Sequence, residues 1–304
     1  MRHSQMSGNW HDIEILLSNI KKKSIRFTEK ESISGGCINQ AWRVTDNHSD
    51  QYFIKTNSPT LEEMFAIEAE SLKQIEQSNS IRVPHVLVYG STPEFSYLAL
   101  EYIPLESQLN QKKLGKQLAQ MHQTTNPLKQ VSNQFGWAKN NYIGSTPQSN
   151  QYHKQWISFW KNERLLYQLK LAKNKGYSTK AYDAGLKLSE SLEALFTGYH
   201  PKPSLLHGDL WGGNCASDMS DNPVIYDPAI YYGDRETDIA MTELFGGFND
   251  DFYSTYNNCY ALDSGYKTRK TLYNLYHILN HFNLFGGSYA KQAENMTKQL
   301  LSEV

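Results

Sequence analysis

Apolar and polar positions keep a helical rhythm over residues 11–20, and over the next 80 residues they alternate between strand-like and helical patterns with turn signals between them. Ala41-Trp42-Arg43-Val44 and Gln51-Tyr52-Phe53-Ile54-Lys55 read as antiparallel strands joined by a polar turn, Asp46 to Asp50. The stretch Ile33 to Asn39 reads as a glycine turn leading into them. The pattern predicts a helix over 61–77, strands at 83–88 and 97–100, and a connecting segment at Glu101-Tyr102-Ile103-Pro104. Beyond it, helical periodicity dominates over 109–122, 155–171, 180–197, 250–260 and 267–300, with a hairpin region at 207–230. The predicted fold is α+β and two-lobed, with a small antiparallel-sheet lobe over 1–101 and a larger, mainly helical lobe over 102–304.

One polar position breaks the pattern of the 61–77 helix. At about 100° per residue, Leu61, Met64, Phe65, Leu72 and Ile75 share a face, and Glu68 lies in the middle of it while Glu62, Glu63 and Glu70 point elsewhere. A buried carboxylate is costly unless paired, so Glu68 demands a cation, and Lys55 on the neighbouring strand can supply one.

Composition narrows the picture. With 304 residues and 39% hydrophobic content, the chain can bury one large core or two smaller ones. A formal net charge of -1 and the absence of a basic block argue against nucleic acid or an anionic membrane as partner, the run Lys21-Lys22-Lys23 being too short. No apolar stretch approaches the roughly 18 residues of a spanning helix, and residues 1–9 lack a signal peptide's apolar region, so a cytoplasmic location is expected. Cys37, Cys215 and Cys259 are too few and too dispersed for a disulfide framework or a zinc site, which fits a reducing compartment.

The candidate chemistry lies in His207-Gly208-Asp209-Leu210-Trp211-Gly212-Gly213-Asn214 and in Asp227. Each polar residue alone could serve a turn. Together they repeat the order that phosphoryl transfer needs. An Asp two residues after a His orients and deprotonates the attacking hydroxyl, and an Asn five residues later and a further Asp hold the magnesium ions that bridge nucleotide phosphates. Lys55, oriented by Glu68, would contact the α- and β-phosphates, and Ser34-Gly35-Gly36 would cover them with backbone N–H groups. Cys37 stands beside that turn, where oxidation could affect activity.

With these residues the chain resembles the fructosamine kinase (ketosamine-3-kinase) family, a branch of the protein-kinase-like fold close to the aminoglycoside phosphotransferases. The resemblance extends through Tyr52-Phe53-Ile54-Lys55-Thr56-Asn57, Gly144-Ser145-Thr146-Pro147-Gln148 and Tyr232-Gly233-Asp234-Arg235-Glu236 to Leu244-Phe245-Gly246-Gly247-Phe248. It implies ATP- and Mg2+-dependent phosphorylation of the 3-hydroxyl of a ketosamine, small or protein-bound, after which the 3-phosphate breaks down and frees the amine. Carried over by position, it makes Asp209 the base, Asn214 and Asp227 the metal ligands, Lys55 and Glu68 the nucleotide-orienting pair and Glu101 to Ile103 the adenine-binding hinge. Trp211 would give the sugar an apolar face, and Asp234, Arg235, Glu236 and Asp238 would fix the catalytic loop and help bind a cationic amine, with Arg235 pairing an acidic neighbour. Gly212 stands where many members have Ser, and Asp227-Pro228-Ala229 replaces the Asp-Phe-Gly of protein kinases. Kinases of aminoglycosides or choline, and a non-catalytic nucleotide-binding pseudokinase, are the alternatives. Either a monomer or a homodimer would be compatible with this reading.

Overall fold

The computed structural model describes residues 10–33, 38–106 and 108–304. Ser34, Gly35, Gly36 and Cys37, expected to form the phosphate-covering turn, lie outside the described residues. Helix α1 (Trp10–Lys21) precedes strands β1 (Phe27–Ile33), β2 (Gln40–Asp46) and β3 (Gln51–Asn57), helix α2 (Glu62–Gln77) and strands β4 (Val86–Ser91) and β5 (Ser96–Glu101). The strands form an antiparallel sheet in the order β1-β2-β3-β5-β4. Alternation along β3 sends Tyr52 and Ile54 to one face, where they pack with Trp10, Ile13 and Leu17 of α1. It turns Lys55 to the other face, towards α2.

The rest of the chain is mainly helical. It comprises β6 (Leu105–Glu106), α3 (Gln111–His122), the hairpin β7 (Asn141–Ile143) and β8 (Thr146–Gln148), and α4 (Trp156–Phe159), which runs through a π-helical segment (Trp160–Leu165) into α5 (Leu166–Asn174). After α6 (Thr179–Glu190) come β9 (Ser204–Leu206), β10 (Cys215–Asp218), β11 (Pro223–Ile225) and β12 (Tyr231–Gly233), then α7 (Glu236–Leu244), α8 (Asp250–Cys259), α9 (Tyr266–Phe285) and α10 (Tyr289–Leu301). Short ladders position the site: β9 pairs with β12, and β10 pairs with both β11 and β6. Residues 207–214 and 226–230 are therefore each held at both ends by a strand.

Among the described residues, two apolar clusters form the core, and the sheet separates them. The smaller lies beneath α1. The larger runs from Phe65, Leu72 and Ile75 of α2 and Leu98 and Leu100 of β5 into the helical region, so α2 packs on both the sheet and the helices. Three elements depart from the predicted pattern. Strand β1 was not anticipated, because nearly all of its residues are exposed and carry no alternating signal. The predicted 267–300 helix is broken into α9 and α10 at Gly286 and Gly287, whose φ values of 70° and 66° end a right-handed helix. Most of α7 is buried, which removes the amphipathic pattern by which a surface helix is read. Among the described residues, no helix is long and apolar enough to cross a membrane.

Candidate active site

The loop after β9 is held by main-chain hydrogen bonds from two directions. His207 N–H and Gly208 N–H donate to the two carboxylate oxygens of Asp238 at 2.7 and 2.8 Å, and Ala229 N–H donates to His207 C=O at 2.8 Å. His207 Nε2 lies 3.0 Å from Tyr226 C=O and donates to it, which leaves Nδ1 to accept from Asp209 N–H at 3.2 Å. The loop lies so close to the 226–230 segment that a Cβ on Gly208 would fall 2.1 Å from Ala229 O, and Gly208 has φ +83°. Only glycine meets both conditions.

Within this frame Asp209, Asn214 and Asp227 converge. Asn214 donates its side-chain N–H to Asp209 C=O at 2.9 Å and its own C=O accepts from Tyr226 N–H at 3.1 Å, tying the base loop to the strand that leads to Asp227. Burial pushes the Asp209 carboxyl up to about 7, and the nearby charges of Asp227 and Asp238 add to the shift. A proton acceptor poised near neutrality suits a general base. Asp227 has φ +56°, unusual for a residue preceding proline, and its carboxylate is half exposed. Such strain is characteristic of functional sites. Among the described residues no three His, Cys, Asp or Glu side chains form a closed metal cage. Asn214 and Asp227 would supply only two ligands, which fits magnesium, an ion that keeps waters and takes phosphate oxygens.

Lys55 and Glu68 meet as the periodicity predicts. Lys55 Nζ is 2.6 Å from Glu68 Oε1 and also pairs with Asp227 Oδ1. Burial works against the ammonium, but the two carboxylates more than offset it and raise its pKa, so the lysine stays charged. We expect Lys55→Met to lower kcat/KM for ATP more than Glu68→Ala does, with the double variant little worse than Lys55→Met alone. The coupling in such a cycle should be about 0.5–3 kcal/mol, and strictly additive losses would show that the two residues do not act as a pair.

At the expected hinge, Glu101 N–H donates to His85 C=O at 2.8 Å and its carboxylate binds Arg82, whose other amino group reaches Asp218. Its side chain thus braces the lobe connection. Among the described residues, the Ile103 backbone N–H has no protein partner and is suited to a base. Trp211 is 40% exposed, and a Cβ on Gly213 would lie 2.4 Å from its ring, so Gly213 makes room for the indole. At Gly212 a Cβ would meet only Phe248, at 4.0 Å, which explains why Ser and Gly can both occupy this position.

Asp234, Arg235 and Glu236, expected to help bind an amine, are all buried and bonded within the protein. Asp234 accepts from Tyr199 OH at 2.9 Å and Tyr273 OH at 2.5 Å, and Glu236 forms a two-point pair with Arg269 at 2.7 and 3.0 Å. Among the described residues, Arg235 pairs no acid. It stacks on Tyr260 at 3.6 Å and donates to Tyr256 OH at 3.1 Å, and Tyr256 in turn bonds His122 Nδ1 at 2.7 Å. Burial lowers the pKa of His122, so the neutral ring donates from Nε2 to Asp238 at 3.1 Å. Burial alone would raise the Asp238 carboxyl, but hydrogen bonds, first that of His122, outweigh it and lower its pKa. The cluster therefore fixes the base loop through the chain Arg235–Tyr256–His122–Asp238. Asp238 was expected in that network, whereas the part of His122 was not, since a ring buried in a helix reveals no partner before folding.

A family model described as fructosamine kinase matches residues 9–303. A probable ketoamine kinase of Vibrio parahaemolyticus is 42% identical over 296 residues, covering 96% of this chain and 99% of that protein. The chloroplastic protein-ribulosamine 3-kinase of Arabidopsis thaliana is 40% identical over 281 residues, 92% of this chain and 84% of its own. Among solved structures, a candidate fructosamine-3-kinase of Haemophilus somnus superposes with a TM-score of 0.86 at 30% identity, covering 96% of this chain and 97% of that one.

Proposed function

The chain belongs to the fructosamine kinase family, and from that premise we propose that it transfers the γ-phosphoryl group of ATP to the 3-hydroxyl of a ketosamine, a ribulosamine or fructosamine on a small amine or a protein lysine. The observation that carries this reading is the convergence of Asp209, Asn214 and Asp227 with the Lys55–Glu68 pair in one cleft. Asp209 takes the proton of the sugar hydroxyl as its oxygen bonds to the γ-phosphorus and the bond to the bridging oxygen of ADP breaks. Asn214 and Asp227 would hold Mg2+, which neutralises charge on the phosphates. Lys55 holds the nucleotide phosphates, the Tyr102–Ile103 backbone receives the adenine, and Trp211 offers the sugar an apolar face. The 3-phosphate then eliminates and frees the amine.

In this reading residues 1–101 form the nucleotide-binding lobe and 102–304 the catalytic lobe. Cys215 and Cys259 are free thiols, in keeping with a reducing, cytoplasmic setting. A non-catalytic nucleotide-binding module is disfavoured because every group the transfer needs is present. Measured as kcat/KM with ATP, ribulosamine and fructosamine should be turned over far better than free ribulose, free fructose or kanamycin. Efficient phosphorylation of kanamycin or of a free sugar, with no activity on either ketosamine, would overturn the substrate assignment and leave the kinase chemistry standing.

A further inference from the structure

With Asp234, Arg235 and Glu236 committed internally, recognition of whatever carries the sugar must come from another surface. An exposed aromatic strip begins beside the base. Trp211 meets Phe245 edge-on with centroids 6.3 Å apart, Phe245 lies 4.9 Å from His281, and His281 lies 5.7 Å from Phe285 and 5.2 Å from Tyr289. Phe245 is 41% and Phe285 63% exposed. Two glycine pairs set this display. Gly246 and Gly247 follow Phe245 with φ of 109° and 69°, and Gly286 and Gly287 follow Phe285 and fold Tyr289 back onto His281. Around Gly246, Gly286 and Gly287 a Cβ would meet nothing within 4 Å, so these positions favour glycine for its backbone freedom and not for lack of space.

Large apolar side chains left at the surface in one contiguous patch mark an interaction site. Resting on the kinase reading above, we propose that the strip Phe245–His281–Phe285–Tyr289 binds the polypeptide that carries the glycated lysine, and that it selects sites flanked by aromatic or large aliphatic side chains. Three features favour a polypeptide over a small amine. The strip is continuous with Trp211, where the sugar is held, and extends three centroid steps of 4.9–6.3 Å beyond it, a path on the order of four or five extended residues. It is open, whereas small ligands favour concave sites, and two cavities of about 270 and 460 Å³ lie elsewhere, one lined by Trp137 and Tyr152 and the other by Tyr52 and Tyr102. It contains no carboxylate to attract a small cationic amine, and its aromatic rings suit apolar side chains.

The test uses the full chain and two synthetic peptides, each with one ribulosyl-lysine, flanked by Leu and Phe in one and by Ser and Asp in the other. Ribulosylated N-acetyl-lysine serves as the reference acceptor. Wild type should favour the apolar peptide roughly 3- to 10-fold in kcat/KM, the scale of one or two aromatic contacts. In the Phe245→Ser, Phe285→Ser double variant that ratio should fall towards one. Equal rates on the two peptides in wild type, or a preference that survives in the variant, would overturn the proposal. Turnover of the reference acceptor separates the two readings, since its absence counts against the ketosamine kinase assignment itself. Calorimetric Kd values for the same peptides then decide the surface proposal independently, a wild-type binding preference lost in the variant supporting it and equal Kd values refuting it. Because both phenylalanines are exposed, unchanged thermal melting of the variant is the check on its fold.

Discussion

Asp209→Asn is expected to reduce kcat by about 10²- to 10⁴-fold, the usual contribution of a positioned acid or base, while nucleotide binding and folding stay near wild type. The substitution keeps the shape of the side chain and removes the proton acceptor. The bond that ties the loop to Asn214 is made to the Asp209 main-chain carbonyl at 2.9 Å and is untouched, as are the Asp238 contacts to His207 and Gly208. Because burial already disfavours the ionised form of this carboxyl, a neutral amide should not lower the melting temperature. Steady-state kinetics with a ketosamine, alongside nucleotide binding by calorimetry, would check this. Turnover within a factor of a few of wild type in a folded variant would remove Asp209 from the role of base.

The largest loss of stability is expected at Arg269. Its guanidinium is buried, forms the two-point pair with Glu236, reaches Asp263 at 2.6 Å and stacks on Tyr199 at 3.8 Å. Arg269→Met leaves Glu236 buried without its partner, and breaking such a pair from one side costs about 3–5 kcal/mol. Replacing both partners, as in Glu236→Leu with Arg269→Met, should recover much of the loss, because the uncompensated carboxylate disappears with the pair. Denaturant midpoints of the two variants provide the comparison. A single variant within about 1 kcal/mol of wild type, or a double variant much worse than the single, would show that the pair does not hold the α7–α9 contact as described.

These two residues also mark how far the sequence could be read. Asp209 stood out as a candidate because the chemistry it suggests depends on short-range spacing, with His207, Asn214 and Asp227 in one stretch of chain. Lys55 and Glu68 were legible for a different reason, since a charge in the middle of an apolar helical face demands a partner wherever that face docks. Arg269 carried no such mark. It lies in a helix of mixed composition, 33 residues from Glu236, and nothing in its local pattern distinguishes it from an exposed arginine.

Asp234, Arg235 and Glu236 show the opposite limit. Their charges suggested a surface open to a cationic substrate, but local sequence records which groups are charged and not what they face. Tyr199 before β9, Tyr260 after α8, and Tyr273 and Arg269 of α9 converge on them only when these segments pack together. Strand β1 escaped notice because an exposed edge has no buried face to impose alternation. The turn between α9 and α10 was passed over because Gly286 and Gly287 sit within a pattern that is helical on both sides.

The sequence by itself determined the α+β class, the candidate residues for phosphoryl transfer and the Lys55–Glu68 pair, since each rests on periodicity or on spacing within a short segment. Tertiary structure alone decided that His122 holds Asp238 in place, that Glu101 braces the lobe connection, and that aromatic side chains from residues 211, 245, 281, 285 and 289 share one surface. The physical reason is range. Backbone geometry and side-chain periodicity are local properties, whereas the partner that satisfies a buried charge or extends an apolar surface is selected by packing between segments far apart in the chain.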